Sequence, residues 1–179
     1  MQRLCKANAD SFCYVCGQLT TKSKQRLISE RAKTAYTCYF GITVVNQNKD
    51  WTPHYFCEGC YFTLVNWLAG RRKCMPFGKP MIWREPVHPE NCFFCMTNIE
   101  GFSGKFKNII VYADVESVTK PVPHSATLPI PHPPKAATDN NDWTYFENEA
   151  TEPTLISDFL LTSFRLLSIP SFNVSVSQN

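Results

Sequence analysis

The sequence lacks the motifs that mark most enzymes and membrane proteins. It has 7 glycines among 179 residues, and none of them builds a phosphate-binding loop. No Gly-x-Ser-x-Gly nucleophile motif and no paired carboxylates occur. No run of about 18 apolar residues occurs, so no membrane span is predicted. The N-terminus is polar, so we expect no signal peptide and a soluble intracellular protein.

The sequence is rich in cysteine and proline, with 9 cysteines and 13 prolines. A chain of this length forms one or two small domains, whose cores are barely large enough to be stable alone. In a reducing compartment the cysteines of such a domain are more often metal ligands than disulfides. The composition therefore predicts small folded parts that a metal holds together.

The charges are unevenly distributed. Residues 1–110 carry 15 Lys and Arg against 7 Asp and Glu, whereas residues 111–179 carry 3 against 8. A basic front half with an acidic back half is typical of nuclear proteins that contact nucleic acid or chromatin. A solvated surface followed by a disordered tail gives the same pattern, so both interpretations stay open.

Two Cys-x-x-Cys pairs form the strongest motif. The first pair is Cys13 and Cys16, and the second is Cys57 and Cys60. Two intervening residues allow both thiolates of a pair to reach one tetrahedral ion, and a second pair completes a shell of four. We therefore predict a structural zinc site of four cysteines, with buried or disulfide-paired cysteines as the alternative. Gly17 suits the tight turn that follows the first pair.

The sequence predicts two main helices around these pairs. Ser29 is a suitable N-cap for a helix that runs to Phe40 and stops at Gly41. The second helix is expected to open at Cys60 and to run over 61–69, so that its N-terminus stabilises the thiolates of the second pair. The apolar residues of the first helix share one face: Ala32, Ala35, Tyr36, Tyr39 and Phe40.

The β-branched segment 42–45 is predicted to be a strand. Each Cys-x-x-Cys pair with its turn is a zinc knuckle. Together with this strand, the two zinc knuckles and the two main helices indicate a small α+β zinc-stabilised domain of the treble-clef kind. An extended, proline-rich and zinc-tied appendage and a disordered tail would follow it. The core is too small to be stable without the metal.

Residues 12–70 resemble the zinc-finger-associated domain of insect transcription factors. The resemblance rests on the two Cys-x-x-Cys pairs and on the residues Ala35, Tyr36, Tyr39, Phe40, Gly41, Pro53 and Leu64. It implies one zinc ion bound by the four cysteines, and a nuclear dimerisation module. The chain departs from that family downstream, because no array of two-cysteine, two-histidine fingers follows. We therefore expect the DNA-reading part of such proteins to be missing from these residues.

A second group of candidate ligands comprises His88, Cys92 and Cys95. Cys92 and Cys95 repeat the two-residue spacing, and His88 precedes them closely. A tetrahedral zinc ion needs one ligand more. Three residues are candidates for it: His124, His132 and Cys74.

We favour His124, because the prolines on both sides extend the backbone and present the imidazole at low entropic cost. A solvent-exposed histidine in a proline linker is the alternative. Cys5 and Cys38 are expected to be free thiols, and for Cys5 the reason is that the four-ligand shell is already filled. Two zinc ions are therefore expected in the chain.

The second group also contains the pieces of a zinc deaminase, His88-Pro-Glu90 followed by Cys92 and Cys95. In that chemistry the two motifs begin separate helices packed side by side. Here one residue separates them and a proline lies inside the first, so the geometry fails. We expect no enzymatic activity and no small-molecule substrate.

A longer run of motifs, over about residues 5–134, is similar to a family of uncharacterised cysteine- and histidine-rich proteins of arthropods and other invertebrates. The motifs are Phe12–Gly17, Trp51-x-Pro-His54, Pro80–Pro86, His88-x-x-x-Cys92-x-Phe-Cys95, Pro121–His124 and Leu128-Pro-x-Pro131. His124 lies in one of these motifs, and the resemblance therefore supports it as a ligand. The many copies per genome suggest a link with mobile elements.

The domain organisation follows from these motifs. We expect a proline-rich segment, the strap, to pack onto the four-cysteine domain through Phe77, Ile82 and Trp83. An aromatic nucleic-acid groove is the alternative. The tail helix is expected either to bind a partner or to dock on its own domain. The predicted segments are a flexible arm (1–11), a four-cysteine zinc domain (12–72), a proline-rich strap with a second knuckle (73–133), an acidic disordered linker (134–153) and a tail with a short amphipathic helix (154–179).

These observations predict a non-enzymatic zinc-binding module that serves as a protein–protein or homodimer adaptor in the nucleus, with no membrane partner. Tyr36 or Tyr39 on the first helix would form the interface. The alternative is direct nucleic-acid binding, whose phosphate contacts would come from Lys22, Lys24, Arg26, Arg71, Arg72 and Lys73.

Overall fold

The computed structural model describes residues 5–71, 74–102, 105 and 108–134. Within these residues the protein forms a small α+β structure, as predicted. The helices are α1 (Glu30–Phe40), α2 (Glu58–Leu68) and α3 (Phe93–Met96). The strands are β1 (Gln25–Leu27), β2 (Tyr55–Cys57), β3 (Phe77–Lys79), β4 (Ile82–Trp83), β5 (Val118–Thr119) and β6 (Val122–Pro123). No helix in this described part is long and apolar enough to cross a bilayer.

By its internal contacts the chain divides into two units, Met1–Asn140 and Asn141–Asn179. All the described residues belong to the first unit. The predicted acidic linker, apart from its first residue, and the predicted tail helix lie outside the described residues.

Helix α1 has the bounds that its flanking residues dictate. The Ser29 hydroxyl accepts a hydrogen bond from the backbone N–H of Ala32 at 3.4 Å, and the helix ends at Gly41, whose φ is 68°. A residue without a Cβ adopts that left-handed conformation without steric cost. The predicted apolar face is buried at Ala32, Ala35, Tyr36 and Tyr39, and Phe40 packs partly buried against the core. This prediction is confirmed.

Helix α2 begins at Glu58, earlier than predicted, with Cys57 as its N-cap. Cys60 therefore lies within the first turn of the helix rather than at its start. Trp67 of this helix is fully buried. Its indole packs edge-to-face on the Tyr39 ring, with centroids 4.7 Å apart, and so joins α2 to α1.

The strand predicted at 42–45 does not form. Val45 instead exchanges hydrogen bonds with the Tyr14 hydroxyl, which accepts from the Val45 N–H at 3.0 Å and donates to its carbonyl at 3.3 Å. The Tyr14 side chain thus satisfies the backbone N–H and carbonyl of Val45, which the β-branched composition had led us to expect in a sheet. The sheet lies elsewhere, where β1 pairs antiparallel with β2 and Arg26 faces Phe56.

The segment that carries β3 and β4 packs on the turn of the first cysteine pair. The Met81 N–H donates to the Val15 carbonyl at 2.8 Å, and the Trp83 indole N–H donates to the Tyr14 carbonyl at 2.8 Å. Phe77 and Trp83 are buried. The strap therefore packs onto the predicted four-cysteine domain (12–72), as expected, and these two aromatic rings are not free to stack on bases.

The chain after Val111 returns along the same segment. Strand β5 pairs antiparallel with β4, and β6 pairs antiparallel with β3. Farther on, the Pro131 carbonyl accepts a hydrogen bond from the Trp67 indole at 3.2 Å. The hydrophobic core includes residues on both sides of the predicted boundaries after residues 11 and 72, for example Ala7, Phe56 and Trp83.

Gly78 in β3 lies close against the returning chain. A Cβ there would lie 2.6 Å from Cγ of Leu128 and 2.9 Å from Nδ1 of His124. We expect Gly78→Ala to lower the free energy of unfolding by about 1–3 kcal/mol, because it overfills this contact. Urea denaturation measures the change. At Gly59 a Cβ would meet nothing within 4 Å, so Gly59→Ala is the control. An equal effect of both substitutions would contradict the prediction.

Candidate metal centres

The first centre is built by a turn and a helix start. Cys13 and Cys16 lie on a turn that the Gly17 N–H closes by donating to the Cys13 carbonyl at 2.9 Å. Gly17 has a φ of 70°, as expected for the turn, and a Cβ there would lie 3.0 Å from Cε of Met81. Cys57 caps α2 and Cys60 lies in its first turn. The turn of the first pair and the start of α2 therefore converge.

The structure brings the four predicted cysteines of this centre together. Their sulfur atoms all lie within 4.8 Å of one another. Cys13 and Cys60 are buried, and Cys16 and Cys57 are half-buried. The Cys13 sulfur accepts hydrogen bonds from the backbone N–H groups of Cys57 at 3.1 Å and Val15 at 3.4 Å. Such donors stabilise a thiolate, and the group therefore has the geometry to hold a metal ion.

The thiols of this centre perturb each other strongly. Burial raises the pKa of Cys13 well above its usual value. Hydrogen bonding with the Cys13 sulfur raises the pKa of Cys60, whereas hydrogen bonds from the neighbouring thiols lower the pKa of Cys57. One negative charge is thus favoured on Cys57, and further charges repel it. The positive charge of a divalent cation at the centre offsets this repulsion. Thiols that coordinate such an ion are therefore deprotonated outright.

The second group in the described residues comprises Cys5, His88, Cys92 and Cys95. Their ligand atoms also lie within 4.8 Å of one another. Nε2 of His88 lies 3.0 Å from the Cys95 sulfur, and the Cys5 sulfur lies 3.7 Å from that of Cys92. Cys92 and Cys95 are buried, Cys5 is half-buried and His88 is exposed. Burial raises the pKa of Cys5 to about 12.

Cys5 reaches this group because the N-terminal arm is anchored. Ala7 and Ala9 are buried, and residues Ala9–Ser11 form a single 3-10 turn that the Asn8 side chain caps. Asp10 accepts hydrogen bonds from the backbone N–H of His54 at 2.9 Å and from its ring Nδ1 at 2.8 Å. The described part of the arm is therefore an ordered element that brings Cys5 to this group. Sequence reasoning missed this, because Cys5 has no partner cysteine at two-residue spacing.

His124, the residue predicted as the fourth ligand, lies elsewhere. Its Nδ1 is 3.1 Å from the Leu128 carbonyl oxygen, which can only accept, so Nδ1 carries the proton. Its Nε2, 2.9 Å away, then accepts from the Tyr39 hydroxyl, and that hydroxyl accepts from the Met75 N–H at 2.8 Å. Both nitrogens are thus engaged in holding the returning chain, and Cys5 stands at the fourth position.

The other candidate ligands belong to neither group. Cys74 is half-buried, and His132 lies near the end of the described residues. Cys38 is an exposed thiol on α1, as expected. Tyr36 and Tyr39, which were predicted to form a partner interface, are 1% and 4% exposed. They pack inside the protein and are not available to a partner.

The predicted nucleic-acid contacts are only partly accessible. Lys22 and Lys24 are exposed on a short 3-10 turn, and Arg71 is exposed after α2. The Arg26 guanidinium instead pairs with Glu58 at 2.5 Å and lies 5.8 Å from the Phe62 ring centroid, so it is engaged within the fold. Arg72 and Lys73 lie outside the described residues.

The structure therefore contains two groups of cysteine and histidine that could each hold a metal ion. The first is made of the four cysteines that their spacing predicted. The second combines His88, Cys92 and Cys95 with Cys5. Comparison of the chain with protein-family models, with curated proteins and with solved structures gave no match.

Proposed function

We propose that the chain is a non-enzymatic zinc-binding module in which both centres are structural. The observation that carries this proposal is that each group supplies four sulfur or nitrogen ligand atoms from the chain itself. Structural zinc sites are closed and four-coordinate, whereas catalytic sites leave one position to water or substrate. Thiolate and imidazole ligands in such a set suit zinc.

The first centre supports a treble-clef arrangement. One cysteine pair lies on a turn and the second at the start of α2, and between them β1 and β2 form a two-stranded antiparallel sheet whose strands are connected through α1. When bound, zinc would supply a cross-link between the turn at 13–17 and the start of α2. The resemblance of residues 12–70 to the zinc-finger-associated domain agrees with this arrangement.

We further propose that the module is a protein–protein or dimerisation adaptor of the nucleus. Since Tyr36 and Tyr39 are buried, other residues must contact the partner. Among the described residues, large apolar side chains are most exposed at Val111 (86%), Val87 (72%) and Leu27 (70%). These side chains would gain the most apolar burial from a partner, and we propose them as contact residues on that ground.

The adaptor proposal predicts self-association that these side chains support. At tens of micromolar, sedimentation equilibrium should show a dimer. Replacing Leu27, Val87 and Val111 with serine should weaken it by about tenfold or more, because each 1.4 kcal/mol of lost contact is a factor of ten. Lys49→Ser, an exposed polar substitution, is the control. A wild-type monomer that recovers no partner would refute the adaptor, while the zinc content, measured by native mass spectrometry, tests the module separately.

A further inference from the structure

The two metal centres are joined by a cluster of aromatic rings. Phe12 directly precedes Cys13 of the first centre, and Phe93 and Phe94 lie between Cys92 and Cys95 of the second. The Phe12 ring contacts both, with centroids 5.5 Å from Phe93 and 5.3 Å from Phe94. All three side chains are buried, at 0%, 2% and 2% exposure. Ligand-bearing segments of both centres therefore pack directly on each other.

Trp83 strengthens the same connection. Its ring stacks on Phe94 with centroids 5.5 Å apart and planes 17° apart, and it meets Phe93 edge-on at 5.5 Å. Its indole N–H donates to the carbonyl of Tyr14, one of the two residues between Cys13 and Cys16. The indole thus contacts the turn of the first centre through a hydrogen bond and the helix of the second through its ring faces.

The N-terminal arm provides a third connection. Cys5 and Cys13 belong to different centres but lie on one short segment, which is anchored by the buried Ala7 and Ala9. Fixing Cys13 in the first centre therefore restricts the positions that Cys5 can reach. Ordering this segment costs conformational entropy when the first centre binds its ion. Binding at the other centre does not incur that loss again.

We propose that the two centres bind metal with positive cooperativity and that Phe12 is the positioning residue that couples them. The proposal rests on the proposed function, namely that both groups hold a metal ion. Binding at one centre orders the turn or helix to which the aromatic cluster is attached. The other centre then binds to ligands that are already in place, and by linkage the effect is reciprocal.

The test uses Co²⁺ as the probe, because its visible absorption distinguishes a four-cysteine site from a site of three cysteines and one histidine. The Kd of the first centre is measured in chelator-buffered Co²⁺ for four full-length chains. These are the wild type, the Cys92→Ser/Cys95→Ser variant, Phe12→Ala, and the combination of both. The four values form a double-mutant cycle.

In the chain that keeps Phe12, we expect loss of the second centre to raise the Kd of the first centre for Co²⁺ about tenfold, within the range of typical coupling. In the Phe12→Ala background the same loss should change the Kd less than about twofold. Phe12→Leu keeps much of the buried volume and should retain part of the coupling; it also serves if Phe12→Ala does not fold. Leu68→Ala, a core substitution outside the aromatic cluster, should leave the tenfold effect intact.

The outcomes separate the two proposals. Absence of Co²⁺ binding refutes the metal-binding module itself. The coupling is refuted if the wild type binds two ions but the Kd of the first centre does not change when the second centre is lost. Coupling that persists in both Phe12→Ala and Phe12→Leu refutes the role of Phe12, and coupling that disappears equally in Leu68→Ala shows general destabilisation instead.

Discussion

Replacing Cys13 with serine is expected to unfold the chain, and not only to empty the first centre. The Cys13 side chain is 0% exposed, and its sulfur accepts the N–H of Cys57 at the start of α2. Structural zinc contributes about 10–16 kcal/mol in zinc-finger peptides at neutral pH. A domain has only about 5–15 kcal/mol of net stability, so loss of this ion removes most or all of it.

The measurement is the near-UV circular dichroism spectrum together with native mass spectrometry of the purified chain. The Cys13→Ser variant should lose its aromatic dichroism at 25 °C and should carry no ion at the first centre. Cys38→Ser, a change at an exposed thiol of α1, should alter the free energy of unfolding by no more than about 0.5 kcal/mol. A Cys13→Ser variant that melts close to the wild type would show that the first centre does not hold the fold together.

The first centre could be predicted from the sequence because its geometry is local. Two residues between cysteines restrict both sulfurs of a pair to one ion, whatever the rest of the chain does. The helices could be predicted for the same reason. The Ser29 cap, the turn at Gly41 and the apolar face of α1 each depend on residues within a few positions of one another.

The second centre could be predicted only in its local part. His88, Cys92 and Cys95 are close in sequence, but Cys5 is far from them and carries no spacing signal. Its place depends on the burial of Ala7 and on the hydrogen bonds of Asp10, which are tertiary contacts. The proline-flanked His124 had a plausible local conformation, yet Tyr39 and Leu128 engage it instead.

The strands show the same limit. Sequence composition selected 42–45, whereas the observed pairs β3–β6 and β4–β5 join segments about forty residues apart. Each strand is only two or three residues long, too short for an alternating pattern to be visible. Long-range pairing of such short segments depends on the core that they cover, for example the buried Met81 and Trp83.

The fourth ligand of the second centre gives the other large expected effect. We expect Cys5→Ala to reduce the zinc content from two ions per chain to one, while His124→Ala keeps both. Loss of a direct ligand weakens binding by more than the ~10–100-fold that loss of an outer-shell partner costs. His124→Ala should instead lower the free energy of unfolding by about 1–3 kcal/mol, because the Tyr39 hydroxyl and the Leu128 carbonyl lose their partner.

Native mass spectrometry in dilute chelator separates these effects, since it counts ions on chains that remain folded. Cys74→Ala, a half-buried thiol outside both groups, is the matched control for Cys5→Ala and should retain two ions. The reverse result, one ion in His124→Ala and two in Cys5→Ala, would return the histidine to the centre. In that case the returning chain at 118–131, and not the N-terminal arm, would be the segment that the metal ties down.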